Sequence, residues 1–310
     1  MLNLLEHLRL ARRYLKTHAP FVRRREYFLA QRRCEKITDA VTLEYRLART
    51  ARVDVIKPLA DDAGVGEVCL FVTHAEQARL KAHVIHHVDC LVEHGFQVVL
   101  IINTDVESNS MELDPATIAN TSALYIRENV GFDFAAWGHA YSLCNGFPHC
   151  NRLLLVNDSI VGPISKTDYT YLIDRLRAST ADLVGLTEHF RPTWNLQSFF
   201  LAFNAQALSH EKVKQLFNNM LALPDKDTVI SVYELALARQ MRSLGLRCEA
   251  LFPARFPDLR SGDDTIGRWS QLVDAGFPFV KGSIVRDPKH AKAVAAIVPA
   301  QFVSSIVEAQ

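Results

Sequence analysis

The chain has no apolar stretch approaching the roughly 18 residues that would suggest a membrane-spanning helix, so an integral helical membrane protein is not expected. It has almost no net charge: 35 Lys and Arg stand against 34 Asp and Glu, for a balance of +1 over 310 residues. That argues against nucleic-acid binding by the whole molecule and makes any electropositive surface a local one. Its six cysteines, Cys34, Cys69, Cys90, Cys144, Cys150 and Cys248, include no CxxC pair. This is reduced, cytosolic usage rather than a disulfide scaffold. Cys144 and Cys150 flank His149 with His139 nearby, but no second close-spaced ligand pair accompanies them, and packing is favoured over zinc. The amino terminus lacks the apolar core and small-residue cleavage pattern of a secretory signal. There are no internal repeats and no low-complexity linkers. Thr73-His74-Ala75-Glu76, after the first central strand, has no Gly-rich phosphate loop, which counts against a nucleotidyltransferase-like enzyme.

What is present suits one α/β domain with appendages. Residues 1–60 are expected to form a basic helical extension, with Leu2, Leu5, Leu8, Tyr14, Leu15, Phe21 and Phe28 recurring among arginines such as Arg23-Arg24-Arg25, and with Pro20 dividing it. Such a face either lies on an anionic membrane surface or is a solvated face of a packed helix. The core domain is expected over 61–290. Glu67–His74 and Phe96–Ile102 are strand-like, with a helix from about Glu76 to His94 between them, closed by Gly95. A strand–helix–strand unit of this kind implies a parallel sheet. A helical tail is expected over 291–310.

The most informative stretch is Arg127-Glu128-Asn129-Val130-Gly131-Phe132-Asp133-Phe134. One helix-length later comes the apolar run Leu153-Leu154-Leu155-Val156, which stops at Asn157-Asp158-Ser159. Four consecutive aliphatics suit a strand covered on both faces, and the first polar side chains beyond it lie at the carboxyl end, where open parallel sheets bind ligands. Many nucleotide-sugar transferases build their donor site from a buried strand stopping at a carboxylate, preceded by an Asn-x-Gly turn. Asp158 is thus the candidate to hold a divalent cation, Mg²⁺ or Mn²⁺, against a diphosphate. The competing reading of Asn157-Asp158-Ser159 is a polar loop start or helix cap.

Other candidates surround it. His74 ends the first strand, where it meets either a nucleotide or only its local hydrogen-bond partners. Arg127 and Asn129 end the third strand on the same edge, Arg127 as a donor-side cation or a structural ion pair. Gly131 permits a tight turn, and Asp133 either caps the following helix or reaches the donor sugar. Glu234 is expected at the start of a helix, as the acceptor-side base or as a carboxylate suited to the helix dipole. Asp133 and His189 compete for the base role. Lys281, after Phe277-Pro278-Phe279-Val280, pairs with donor phosphates or caps the returning segment.

Together these residues resemble the rhamnan synthesis protein F family of bacterial cell-surface polysaccharide proteins. The matching pieces are Arg127-x-Asn129-x-Gly131-x-Asp133 with Trp137, Val156-Asn157-Asp158-Ser159 through Gly162-Pro163, Leu196-Gln197-Ser198-Phe199-Phe200, and Gly276–Lys281; they span about Val68 to Pro288. The resemblance implies a GT-A-like fold with a mixed, mainly parallel sheet, and a glycosyltransferase acting in O-antigen, capsule or related lipopolysaccharide-type glycan assembly. It implies a nucleotide-sugar donor, of rhamnose type in the sense that the family name carries, and a glycan acceptor; the basic amino-terminal segment suits an enzyme that reaches a lipid-linked glycan from the cytoplasmic face of the membrane. The chain is also similar to the broader family 2 transferases, but Val156-Asn157-Asp158 lacks the first carboxylate of their Asp-x-Asp. A scaffold that keeps the fold without turnover is the rival expectation.

Overall fold

The computed structural model describes residues 46–60, 63–147, 149–190, 193–254 and 263–307. The basic helices expected before residue 46 lie outside the described residues. The strands are β1 (Val53–Lys57), β2 (Gly66–Ala75), β3 (Gln97–Thr104), β4 (Ala123–Glu128), β5 (Cys150–Asn157), β6 (Ile160–Val161), β7 (Leu183–His189), β8 (Asn195–Leu196), β9 (Phe200–Asn204), β10 (Cys248–Phe252) and β11 (Val280–Lys281). The main sheet runs β1-β4-β3-β2-β5-β9-β7-β10, with β8 on β7 and a separate β6–β11 ribbon. Neighbours β4, β3, β2 and β5 are parallel, β1 and β9 run against their neighbours, and β10 is parallel to β7. The expected mixed, largely parallel α/β sheet with flanking helices is the observed one. β1 corrects the expected extension: residues 53–57 are a sheet edge, and Ala48 just before them is buried in the core.

The apolar runs are continuous because both sheet faces are covered. Alternate side chains serve opposite layers. Leu70, Ile101, Leu153, Leu155 and Phe203 face one core, shared with α3 (Phe132–Leu143) and, further on, α6 (Glu211–Asn218) and α8 (Leu235–Ser243). Phe71, Leu100, Leu154, Val156 and Ala202 face the other, shared with α1 (Ala82–Glu93) and α4 (Lys166–Ala178). Helix α1 starts at Ala82, later than the expected Glu76, because residues 76–81 leave the strand as a loop. Between α1 and α3 lies α2 (Pro115–Asn120), opened by Pro115 and capped by the Asp114 side chain. The short α5 (Ala205–Ser209) precedes α6, and α7 (Lys226–Val229) runs through a π-helical turn, Ile230–Glu234, into α8.

The carboxyl-terminal part adds α9 (Asp264–Gly267), α10 (Trp269–Asp274), α11 (Gly282–Arg286), α12 (Ala291–Ala295) and α13 (Ala300–Val307). The apolar sides of α11, α12 and α13 form a third cluster with β6 and β11, centred on Val161, Val280, Ile284, Val294, Phe302 and Ile306. Among the described residues no helix is long and apolar enough to cross a membrane.

The strand order fixes where a ligand fits. From β2 the chain steps outward through β3 to β4, then returns across the opposite face by α3 and lays β5 on the other side of β2. The carboxyl ends of β2 and β5 therefore flank the point where the winding reverses, which leaves a crevice.

Candidate active site

Val72 pairs with Asn157 across β2 and β5, so the next residues, Thr73 and Asp158, meet at the mouth of this crevice. Asp158 Oδ2 accepts hydrogen bonds from Thr73 Oγ1 at 2.8 Å, the His74 backbone N–H at 3.3 Å and Lys81 Nζ at 2.8 Å. Burial alone would push this carboxyl up, but the Lys81 ammonium, with its hydrogen bond and that of Thr73, holds it below the usual range. Lys81 is also the residue that opens α1, with no side chain capping that helix. The helix start and the ammonium both favour negative charge here, and Asp158 supplies it. Sequence reading missed Lys81, since one lysine in a polar loop carries no distinguishing pattern.

The residues of the Asn-x-Gly turn separate into two roles. Asn129 Nδ2 donates to His74 Nε2 at 3.2 Å and to Asp105 Oδ2 at 3.0 Å. A polar rim thus runs along the ends of β2, β3 and β4. Arg127, by contrast, is committed to the scaffold. Its guanidinium is buried and donates to Asn103 Oδ1 at 3.2 Å, the Val130 carbonyl at 2.8 Å, the Glu128 carbonyl at 3.1 Å and, through Nε, His139 Nδ1 at 3.3 Å. It holds the turn in place and does not face a donor. Burial lowers its pKa to about 10. Arg127→Leu is expected to cost about 2–4 kcal/mol of stability by leaving several of these acceptors unsatisfied, read as an earlier urea midpoint. Donor affinity of the folded fraction should be unchanged.

Gly131 stands just before α3 with φ of 75°, a left-handed conformation suited to glycine. Asp133, in the first turn of α3, is not the cap. Its Oδ2 accepts from Asn157 Nδ2 at 2.6 Å, while Asn157 Oδ1 accepts from the Ser159 hydroxyl at 2.6 Å and the Ser159 N–H at 3.1 Å. Asn157 thereby ties the start of α3 to the end of β5. Burial raises the Asp133 carboxyl, with the Asn157 hydrogen bond opposing. Trp137, one turn further, anchors α3 to the sheet through Nε1 donation to the Leu70 carbonyl at 3.1 Å.

Glu234, within electrostatic reach of Asp133, ends the π-helical turn rather than beginning a helix, so the helix-dipole reading does not apply to it. Its Oε2 accepts from Ser198 Oγ at 2.6 Å. Burial pushes its pKa up, the charges of Asp133 and Asp263 push the same way, and the Ser198 hydrogen bond and Lys281 oppose. Lys281 Nζ lies 2.9 Å from Asp263 Oδ2 and 5.7 Å from the centre of the Phe199 ring. Gln197 Nε2 also donates to Asp263 Oδ2, at 2.8 Å, while Gln197 Oε1 accepts from Thr187 Oγ1 at 2.6 Å. Burial would raise Asp263, yet Lys281, Thr265 and Gln197 together hold it low. Asp263 was not legible in the charged, loop-like stretch around it.

The sequence motifs therefore converge. Gln197, Ser198 and Phe199 each touch a charged group, Glu234, Asp263 or Lys281, contributed by a different part of the chain. The chain matches the family described as rhamnan synthesis protein F over residues 98–299. It belongs to the rhamnan synthesis protein F family. It is 29% identical over 193 residues to the virulence protein VirA of Vibrio anguillarum, a match covering 52% of this chain and 61% of VirA. It is also 29% identical over 168 residues to the protein y4gN of Sinorhizobium fredii, covering 52% of this chain and 42% of y4gN. The chain thus spans less than two thirds of either relative. Among solved structures, it is similar to the mannosyltransferase PcManGT from Pyrobaculum calidifontis, in complex with GDP-Man and Mn²⁺, with a TM-score of 0.41 and 15% identity over 99% of this chain and 86% of that one. A likeness of that size bears on neither activity nor ligands.

The expectation of a divalent cation at Asp158 meets a specific donor set. Among the described residues, no three His, Cys, Asp or Glu side chains gather as a metal-holding group. Asp158 Oδ2 already faces an ammonium. This set does not fit a cation held by protein ligands alone, since hard divalent cations take several oxygen ligands.

Proposed function

We propose that this rhamnan synthesis protein F family member is a glycosyltransferase with a GT-A-like core over residues 61–290. It would move a sugar, of rhamnose type in keeping with the family's description, from a nucleotide-diphospho-sugar to a growing cell-surface polysaccharide or lipid-linked glycan. The observation that carries the reading is a pair of carboxylates near the strand-order reversal: Asp158, paired with Lys81, and the part-buried Glu234, bonded to Ser198 and within electrostatic reach of Asp133, whose partner Asn157 immediately precedes Asp158.

Each carboxylate suits one end of a transfer reaction. A carboxylate repels a diphosphate, so in this reading Asp158 acts by orienting Lys81, whose ammonium and the start of α1 stabilise the negative charge that develops on the leaving diphosphate. Asn157, Asp133, Asn129 and His74 line the donor end. Glu234 takes the acceptor hydroxyl proton as that oxygen attacks the anomeric carbon and the bond from that carbon to the diphosphate oxygen breaks, which gives an inverted linkage. Lys281 keeps Asp263 ionised beside it. The protein would work at the cytoplasmic face of the membrane, with the basic segment before residue 46 as the peripheral contact.

A thermal-shift screen against nucleotides and nucleotide-sugars, with and without Mn²⁺, tests this directly. A donor that binds only the folded state must raise Tm. One nucleotide-sugar is expected to do so in the wild type, and Asp158→Ala is expected to remove at least about tenfold of the affinity, or about 1.4 kcal/mol. Protein that is folded and shows no shift with any donor would instead favour a scaffold in a polysaccharide-synthesis complex.

A further inference from the structure

The charges around Asp158 do not all cancel. Lys81 is matched by the Asp158 carboxylate at 2.8 Å. His83, in the first turn of α1, donates through Nε2 to the Asp158 carbonyl at 3.4 Å. Burial pushes its pKa down to about 4, with Lys81 and Arg286 adding to the shift and Asp158 opposing it, so this imidazole is neutral at physiological pH. Arg286 stays protonated. It is exposed, and among the described residues it has no ion-pair or hydrogen-bond partner. Arg286 closes α11, where a cation ordinarily serves the carbonyl end of a helix. Its side chain runs the other way. A Cβ added at Gly282, the first residue of α11, would stand 3.7 and 3.9 Å from Arg286 Nη1 and Nη2, and 3.5 Å from the Ser159 carbonyl oxygen. Side chains in a helix lean towards its start, so residues four apart overlie one another. Glycine at 282 leaves that space to the guanidinium. The start of α11 is itself tied down beside Asp158: the Gly282 N–H donates to the Ser159 carbonyl at 2.8 Å, and Lys281 pairs with Ile160 across β11 and β6.

An unmatched guanidinium beside a lysine–carboxylate pair suits an anion. Its planar fork fits two oxygens of one phosphate group, which a point charge does not. Lys81 brings a charge that Asp158 already balances, whereas Arg286 brings one that no neighbour balances. A diphosphate needs that second cation, because the paired carboxylate repels it. We infer that Arg286 binds the diphosphate of the donor next to Lys81 and supplies the net positive charge of that end of the crevice. The inference rests on the transferase reading for the identity of the molecule that carries the diphosphate; the binding of a diphosphate by this guanidinium does not.

Calorimetric titration of inorganic pyrophosphate into the full chain, in metal-free buffer, tests it. Wild type is expected to bind. Arg286→Gln should weaken that binding about tenfold or more, a loss of at least about 1.4 kcal/mol, and Arg286→Lys should recover part of it by restoring charge without the fork. Lys289→Gln, which removes an exposed cation three residues further on, should bind as wild type does, and all three variants should keep the wild-type melting temperature. A second arm titrates GDP, UDP, ADP and dTDP and their nucleosides. Arg286→Gln is expected to weaken whichever nucleoside diphosphate displaces pyrophosphate and to leave the matching nucleoside unaffected. The inference is overturned if wild type does not bind pyrophosphate, if Arg286→Gln binds it as wild type does, or if Lys289→Gln weakens it equally, since bulk charge would then be the cause. The two readings fail separately. A nucleotide-sugar that stabilises wild type and Arg286→Gln alike would sink this inference and leave the transferase reading standing. Pyrophosphate bound through Arg286, with no nucleotide able to displace it, would sink the transferase reading and leave the anion site.

Discussion

Glu234→Gln is expected to lower sugar transfer by about 10²–10⁴-fold, the usual worth of a positioned general base, while donor-induced stabilisation stays at the wild-type level. Glutamine keeps an oxygen to accept the Ser198 hydroxyl but cannot take a proton. The reaction's pH dependence follows from the same geometry. A base must be ionised to act, and burial raises the Glu234 pKa, with Asp133 and Asp263 adding to it. Activity should therefore fall as pH drops through this raised value, earlier than for an ordinary carboxylate. The stability effect has the opposite sign. A carboxyl whose folded pKa exceeds its unfolded pKa contributes stability that is present below the unfolded value and is lost as pH rises through the folded one. At neutral pH the ionised, part-buried Glu234 is thus a cost to the fold, which Glu234→Gln relieves. The variant is expected to melt above wild type at neutral pH, with the difference closing in acid. A variant that keeps wild-type turnover would remove Glu234 from the chemistry, and one that melts below wild type would make it a structural residue.

Gly131→Ala should destabilise the protein by about 2–5 kcal/mol, combining the left-handed backbone penalty for a residue with a Cβ with the cost of overpacking a filled core. An added Cβ would lie 2.5 Å from the Ala135 Cβ and 2.6 Å from the Ala222 backbone Cα. Neither contact can relax by rotating a side chain, so the turn or the segment at Ala222 must move. Phe132 follows with its own left-handed φ of 58°, and the next residue is Asp133; displacement there reaches the hydrogen bond to Asn157 directly. Urea unfolding of Gly131→Ala should show a lower midpoint with an unchanged slope. Gly131→Asn separates the two contributions. Asparagine tolerates a left-handed backbone but still carries a Cβ, so near-wild-type stability in Gly131→Asn would show that backbone conformation, and not the approach of Ala222, makes glycine necessary.

The expected strands at 67–74 and 96–102, and the third strand ending at Arg127, form because their aliphatic runs suit a sheet covered on both sides, and β5 stops where its first polar side chains appear. Local chemistry is sufficient for this, since apolar periodicity and turn residues act over a few positions. The same is true of Gly131, whose turn announces itself in the spacing of Asn129, Gly131 and Asp133. Residues 53–57 were less legible. An exposed edge strand buries too little to leave a clear pattern, and only pairing with β4 defines it.

The division of labour within the site depended on pairings that no local pattern contains. Arg127 and Asn129 are two residues apart, yet the first is enclosed by Asn103, His139 and the Glu128 and Val130 carbonyls while the second meets His74 and Asp105. By sequence Asp158 is a candidate metal ligand; in the fold Lys81, 77 residues earlier in the chain, occupies its Oδ2. Glu234 looked like a first-turn helix residue, but the helical segment already runs from Lys226, and its π-helical turn ends at Glu234, beside Ser198. By itself the sequence determined the central strands, their parallel character and the positions where they end in polar residues, because burial and backbone geometry are properties of short segments. Which carboxylate carries a cation, which arginine is structural and which lysine faces the crevice were decided only by tertiary structure, because charge and hydrogen-bond partners come from segments that the fold alone brings within 3 Å or so of one another.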